Sequence, residues 1–374
     1  MAEMPAHSSL PNEILAAIFT HLEPTALTDV ARVSRRFNSV AEYLLYTIVA
    51  ISDVLNDVEQ VPRRTVAWCE GMVKRQHLAD SVKRLQIRWT GETRGPPTPL
   101  LLPICDQLSL AIRTLSSLEY LELFLGPANF ASLPRENIHA IERAVFLCSL
   151  PALRFCSLGA EYAKGIQPYT AHIASFLAHT PSLLHLRLSD HHSSLNLPPP
   201  PHCLPFLQTF RGSAATAASV LPGRPVHYLW LIGQDSDVSR ENLLRMTHTT
   251  APIRSLDLSA ISSRPLLLRN VSECIPTLRR LRIRLALRHT LHYALSGISL
   301  LVGLSSVLGA FPNLVYLDLS PTLEGGHANA ADERVLCTEY SRACPSLRTI
   351  IFPSRMEWTL DDSYGNQWAM VEPQ

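Results

Sequence analysis

A six-residue pattern, apolar at its first, fourth and sixth positions, limits what this chain can fold into. Copies begin at Val82 (VKRLQI), Leu118 (LEYLEL), Leu153 (LRFCSL), Leu183 (LLHLRL) and Val226 (VHYLWL). Others begin at Ile253 (IRSLDL), Leu278 (LRRLRI), Leu314 (LVYLDL) and Leu347 (LRTIIF), with a degenerate LQTFRG from Leu207. The ten starts lie 19 to 36 residues apart. In most copies the last three positions alternate apolar, polar, apolar, the mark of a short strand with one buried face. A proline stands just ahead of the first apolar position in seven copies, at Pro151, Pro181, Pro205, Pro252, Pro276, Pro312 and Pro345. Proline stops a preceding helix and favours an extended approach to the strand.

Helix-like stretches separate the copies, such as RENIHAIERAVFLCSL from Arg135 and ADERVLCTEYSRAC from Ala331. One strand plus one helix cannot bury its own apolar face, so the units have to stack. The expected class is α/β, an irregular solenoid over 81–353 with parallel strands on one side and helices on the other. This array resembles the leucine-rich repeat family. Its uneven unit lengths, and cysteines ahead of the strand at Cys274 and Cys344, resemble the cysteine-containing kind. Pro/Gly/polar runs at 90–99, 193–205 and 321–330 interrupt it as loops. The stretch 354–374 has no repeat and is expected to be a cap or tail.

The remaining composition narrows the function classes. Of 374 residues 47% are hydrophobic and 17% charged, which supports a large core. Lys+Arg number 33 and Asp+Glu 32, so the basic excess expected of a nucleic-acid binder is missing. No secretory signal is visible at the start, and the eight cysteines form no Cys-x-x-Cys pair. They read as reduced, mostly buried thiols of a cytoplasmic and/or nuclear protein. His289–Leu317 lacks Asp, Glu, Lys and Arg and has the length of a membrane span. Its serines, glycines, Pro312 and final repeat copy point instead to a buried helix followed by a strand.

The head has a different rhythm. After an expected flexible tail at 1–7, the stretch 8–48 places Ile14, Ile18 and Leu22 four residues apart, with Leu15 and Phe19 alongside. Pro11 suits a first helical turn, and Glu13 suits the positive end of the helix dipole. Glu23-Pro24 breaks the helix. A second helix carries Leu27, Val30 and Ala31, and a third carries Phe37, Val40 and Leu44. A three-helix core this small needs a partner to share its apolar surface. A helical linker is expected at 49–80.

LPNEILAAIFTHLEP and VARVSRRFNSVA resemble the opening and close of the F-box family, at Leu10, Pro11, Glu13, Ile14, Ile18, Phe19 and Leu22, then Val33, Ser34, Arg35 and Phe37. LLYTIV resembles the segment that joins this module to repeats in many fungal members. The resemblance implies a head that docks a Skp-type adaptor, and through it a cullin–RING ubiquitin ligase, with repeats that select a protein substrate. The adaptor-facing residues it implies are Leu10, Pro11, Ile14, Leu15, Ile18, Phe19, Leu22, Leu27, Val33 and Phe37.

Catalytic signatures are missing. There is no G-x-S-x-G, P-loop, dinucleotide fingerprint or H-E-x-x-H. Ser189–His192 juxtaposes serine, acid and histidine, but a triad is assembled from distant segments. His191, His192, His202 and Cys203 lack the tight pairing of zinc ligands. The expectation is a non-enzyme without cofactor or metal, binding no nucleic acid and no membrane.

Residues alternating with the buried leucines face the opposite side of the strands. Arg187, Arg211, Tyr228, Trp230, Arg280, Arg282, Arg284 and Tyr316 are the candidate substrate-binding residues. Aromatics and arginines dominate interaction hot spots, and a row of guanidinium forks suits carboxylate or phosphate. The alternative is a solvated arginine face with Trp230 packed under a loop. A leucine-rich repeat scaffold that does not direct degradation is the alternative to the ligase role.

Overall fold

In the computed structural model the described residues are 10–56, 58–91, 101–126, 140–160, 171–189, 193–200, 202–286, 301, 303–322, 330–361 and 367–371. The tail at 1–7, Asp190–His192 and most of 289–302 lie outside them. The chain divides into two compact units, Met1–Ser182 and Leu183–Gln374.

The first unit opens with three helices, α1 (Asn12–Phe19), α2 (Pro24–Val30) and α3 (Arg35–Thr47). Pro24 occupies the first turn of α2, where its missing N–H costs nothing. Ser34 caps α3, its Oγ accepting the Phe37 N–H at 3.1 Å. Leu15, Phe19, Leu27, Val40 and Ala41 form the buried core, with Leu22, Phe37, Leu44 and Leu45 packed around it. The Phe19 and Phe37 rings meet edge to face at 5.4 Å.

Helix α3 passes into strand β1 (Ile48–Leu55) with no residue between them. β1 pairs in parallel with β2 (Arg84–Gly91) along its whole length. β3 (Tyr120–Leu125) and β4 (Phe155–Gly159) continue the parallel order. The expectation of a helical linker at 49–80 therefore needs correction. That stretch holds most of β1, then helix α4 (Arg63–Lys74) and a 3-10 turn at Gln76–Ser81, so it is itself a strand–helix unit.

β1 escaped the pattern because an aspartate occupies one of its inward positions. Asp53 is 7% exposed. Its carboxylate accepts the N–H groups of Arg64 (3.0 Å) and Thr65 (3.1 Å) and the Thr65 hydroxyl (2.7 Å). These satisfy orphan donors at the start of α4. Trp89 Nε1 on β2 donates to the same Thr65 Oγ at 2.9 Å.

The second unit contains β5 (His185–Leu188), β6 (Thr209–Ser213), β7 (Tyr228–Ile232), β8 (Ser255–Ser263), β9 (Arg280–Leu285), β10 (Tyr316–Asp318) and β11 (Thr349–Ile351). They pair in parallel, in chain order. Across the two units every one of the ten motif copies contains a strand. One hydrogen-bond signature recurs. The carbonyl of a copy's second residue accepts the N–H groups of the second and third residues of the next copy. Gln208 O takes His227 and Tyr228, His227 O takes Arg254 and Ser255, and Arg254 O takes Arg279 and Arg280. The motif thus sets the register as well as the strand. The stacked leucines, including Leu186, Leu229, Leu256, Leu281 and Leu317, form the buried row beneath.

After β11 the direction reverses. Only residues 352–356 join it to β12 (Glu357–Asp361), too few for a crossover helix, so β12 and β13 (Gln367–Val371) add as antiparallel strands. Buried Glu333, on the helix Ala330–Ala343, fastens this hairpin. Its carboxylate accepts Trp358 Nε1 at 2.9 Å and Ser354 Oγ at 2.6 Å.

All eight cysteines are buried and unpaired. Burial pushes the thiol of Cys69 up to about 12 and that of Cys148 to about 11. The reactive thiolate is therefore scarce at neutral pH. Native protein is expected to react with less than about one equivalent of an aromatic disulfide reagent per chain, and to release all eight thiols in denaturant. Fast reaction of several native thiols would contradict this packing. Among the described residues no helix is long and apolar enough to cross a membrane.

Candidate functional site

Two surfaces, one on each unit, carry the sequence-derived site residues. On the head, the structure sorts the ten adaptor candidates into two sets. Leu15 and Phe19 (5% exposed each) and Leu27 are core, and Leu22 and Phe37 pack against that core. Leu10 (51%), Ile14 (46%), Ile18 (49%) and Val33 (68%) are exposed, as is Pro11. Ile14 and Ile18 are one turn apart on α1, so a continuous apolar ridge stands on solvent. Isolated exposed apolar residues are ordinary, but a contiguous set on so small a body marks an interaction surface. Arg36 on α3 ties the start of this ridge, Nε donating to Asn12 Oδ1 at 2.8 Å and a second nitrogen to the Leu10 carbonyl.

On the second unit, strand register arranges the open face in two rows. One runs His185, Thr209, Tyr228, Ser255, Arg280, Tyr316. The other runs Arg187, Arg211, Trp230, Asp257, Arg282, Asp318. All eight substrate-binding candidates except Arg284 sit in these rows. Arg284 pairs across a register shift in β8 and gives a guanidinium N–H to the Ala260 carbonyl at 3.1 Å.

The rows are electrically uneven. Arg282 lies between two carboxylates, with Nε 3.0 Å from Asp318 Oδ2 and a terminal nitrogen 3.7 Å from Asp257 Oδ2. Both aspartates are buried, at 6% and 2% exposure. Removed from water, such charges persist only when paired. Arg280 lies over the Tyr316 ring at 4.6 Å. These groups, with Tyr228 and Ser255, line a shallow depression of ≈ 260 Å³. The Tyr228 hydroxyl is pushed up mainly by burial and then by Asp257, the Tyr316 hydroxyl by burial and then by Asp318. The expected row of three equivalent forks on β9 is therefore not formed. Its middle member is neutralised from both sides, and Arg284 is turned to backbone.

The other end of the row carries two arginines. Arg187 and Arg211 are register partners, and Arg211 lies over the Trp230 ring at 3.7 Å. Trp230 thus packs against an arginine on the neighbouring strand. Beside them His185 Nδ1 and Thr209 Oγ1 are 2.6 Å apart. Thr209 was missed from sequence because its copy, LQTFRG, is degenerate. The third-position rule that supplied Tyr228 would have found it.

Among the described residues no group of three or more His, Cys, Asp or Glu is arranged to hold a metal ion. His191 and His192 fall outside those residues, His202 is exposed and Cys203 is buried.

A protein-family model described as F-box-like matches residues 7–51. Its span ends inside β1 and takes in the whole exposed ridge. The chain therefore carries an F-box-like domain, built on α1–α3. No curated protein matches the chain.

Proposed function

We propose that this protein is a non-catalytic substrate-recognition subunit of a Skp–cullin–F-box type ubiquitin ligase. The F-box-like head docks a Skp-type adaptor, and the strand–helix array, read as leucine-rich-repeat-like, binds the substrate on its open face. It works in the cytosol and/or nucleus. The observation that carries this reading is the solvent-facing apolar ridge of Leu10, Ile14 and Ile18, which with exposed Val33 lies within the F-box-like segment.

Such a ridge is hydrophobic surface waiting for a partner. Burying its larger side chains yields about 1.5–3 kcal/mol each. Co-expression with a Skp-type adaptor is expected to give a stoichiometric complex that survives size-exclusion chromatography. Ile14→Asp with Ile18→Asp should abolish it, because two carboxylates would be buried without partners. Both positions are exposed, so the double variant should keep the wild-type thermal transition. A folded wild-type chain that ignores every Skp-type adaptor tried would overturn the reading.

A further inference from the structure

The array ends with more strand than helix. The helix Ala330–Ala343 is the last among the described residues, yet β11, β12 and β13 follow it. In the terminal hairpin Trp358 pairs with Ile350 and Met370, and Leu360 pairs with Trp368. Register partners share a face, so Trp358, Leu360, Trp368 and Met370 lie on the side of the buried leucine row. Met370 is nevertheless 46% exposed, and Leu360 is only half-buried. Two strands span about 9.6 Å, close to the width of one helix, about 10 Å. The hairpin is thus short of one backing helix on its leucine side.

Between the helix Ala330–Ala343 and the hairpin runs a groove of ≈ 420 Å³. Arg334, Thr338, Ser341 and Arg342 line it from the helix, Leu360 and Trp368 from the hairpin, and Arg348 from just ahead of β11. Three arginines meet here, and among the described residues no acidic side chain lines the groove. Arg334 and Arg342 are exposed, and among the described residues neither guanidinium has an ion pair or a hydrogen bond. Arg348 bonds only to carbonyl oxygens, those of Pro345 and Leu347, at 2.8 and 2.9 Å. Trp368, 6% exposed, holds an indole N–H without an acceptor. Buried donors are almost always paired, so an unpaired one beside a cationic groove calls for a missing acceptor. By contrast, the depression between Tyr228 and Tyr316 sets Asp257 and Asp318 against its arginines and is balanced from within.

We infer that this groove docks an acidic amphipathic helix of a partner protein. The apolar side of that helix covers Leu360, Trp368 and Met370, and its carboxylates meet Arg334, Arg342 and Arg348. Arg334 and Arg342 stand eight residues apart on their helix, about 12 Å along its axis. Acidic residues about two turns apart on an opposing helix match that spacing, while the apolar residues between them face the hairpin. Arginine suits carboxylates because its fork takes both oxygens. Nucleic acid would meet the same charges but leave the apolar floor uncovered. The groove includes neither the ridge of the head nor the two open rows, so the inference is independent of the ligase reading.

Fluorescence anisotropy of full-length protein with three labelled amphipathic peptides tests this. All three span about five helical turns and share a leucine face, and the opposite face carries glutamate, glutamine or lysine. The glutamate peptide is expected to bind at least about tenfold more tightly than the glutamine peptide, as three partly exposed ion pairs allow, and the lysine peptide most weakly. Raising the salt from about 0.1 to about 1 M shortens the screening length from about 10 to about 3 Å and should erase the preference. Arg334→Glu with Arg342→Glu should remove it too, and Met370→Asp should weaken all binding about tenfold. These positions are exposed, so the thermal transition should stay in place. A glutamate peptide broken by a central proline should lose at least about tenfold. Arg154→Glu, at an exposed arginine of the first unit, should change nothing. Equal affinity for the glutamate and glutamine peptides, a preference that survives the double reversal, or undiminished binding of the proline-broken peptide would overturn the inference. So would a short DNA duplex that binds more tightly than the glutamate peptide. The Ile14→Asp, Ile18→Asp double variant should lose the adaptor and bind the glutamate peptide as wild type does. Wild-type protein that ignores the adaptor yet selects the glutamate peptide loses only the ligase role.

Discussion

Phe19→Ala is expected to unfold the head while leaving the repeats folded. Phe19 is 5% exposed, meets Phe37 edge to face and belongs to a core of Leu15, Leu27, Val40 and Ala41. Truncating a buried phenylalanine costs about 3–5 kcal/mol. A three-helix core supplies about 3–5 kcal/mol in total, so the substitution removes most or all of it. Amide exchange over residues 12–47 should lose its protection, and adaptor binding should be lost with it. The adjacent change, Ile18→Asp, makes the sharper contrast. Its side chain points to solvent, so exchange protection should persist while adaptor binding fails. Equal loss of protection in both variants would mean that the ridge is part of the fold and not a docking surface.

Asp53→Ala should produce the second large effect, at the junction between head and array. The carboxylate accepts three hydrogen bonds from Arg64 and Thr65 in a site 7% exposed. Removing it strands the donors that open α4 and frees the Thr65 hydroxyl on which Trp89 relies. Bonds to a charged group contribute about 1.5–3 kcal/mol each, and partial rehydration returns some of this, so a net loss of about 3 kcal/mol is expected. Asp53→Asn keeps the shape and one acceptor oxygen and should lose about half as much. Denaturant unfolding, with exchange over 48–55 and 63–74 as the local readout, measures both. A loss under about 0.5 kcal/mol for the alanine variant would show that water replaces the carboxylate at no cost.

Much of the architecture was legible because one physical rule repeats. Each L-x-x-L-x-L copy fixes a buried row, a register and an outward pair, so ten strands followed from ten motifs. Strands built otherwise were invisible to it. β1 turns Asp53 inward to cap a helix, which breaks the apolar alternation. β12 and β13 each bury a single tryptophan, Trp358 and Trp368, too brief a signal beside the leucine rows. Site residues were legible as types and sides, not as pairs. Helix α1 is apolar on two adjacent faces, and the 3.6-residue period alone cannot say whether Leu15 and Phe19 or Ile14 and Ile18 turn inward. Likewise the spacing of Arg280, Arg282 and Arg284 places them on one side of β9. Their partners, Asp257, Asp318 and the Ala260 carbonyl, come from other strands or a bulge. Charge read along one strand omits charge supplied across the sheet.

The direct passage from α3 into β1 makes the head an indexed part and not a tethered one. A helix turns about 100° and advances about 1.5 Å with every residue. The heading of the Leu10–Ile14–Ile18 ridge relative to the first strands is therefore fixed by the number of residues between Val40, in the head core, and Ile48, in the sheet. Arg75, reaching back from beyond α4 to Glu42 at 3.3 Å, clamps that setting. Adding or deleting one residue near Thr47 would leave every side chain of the ridge intact and swing the ridge through more than a quarter of a turn. In this protein chain length at one point acts as a protractor.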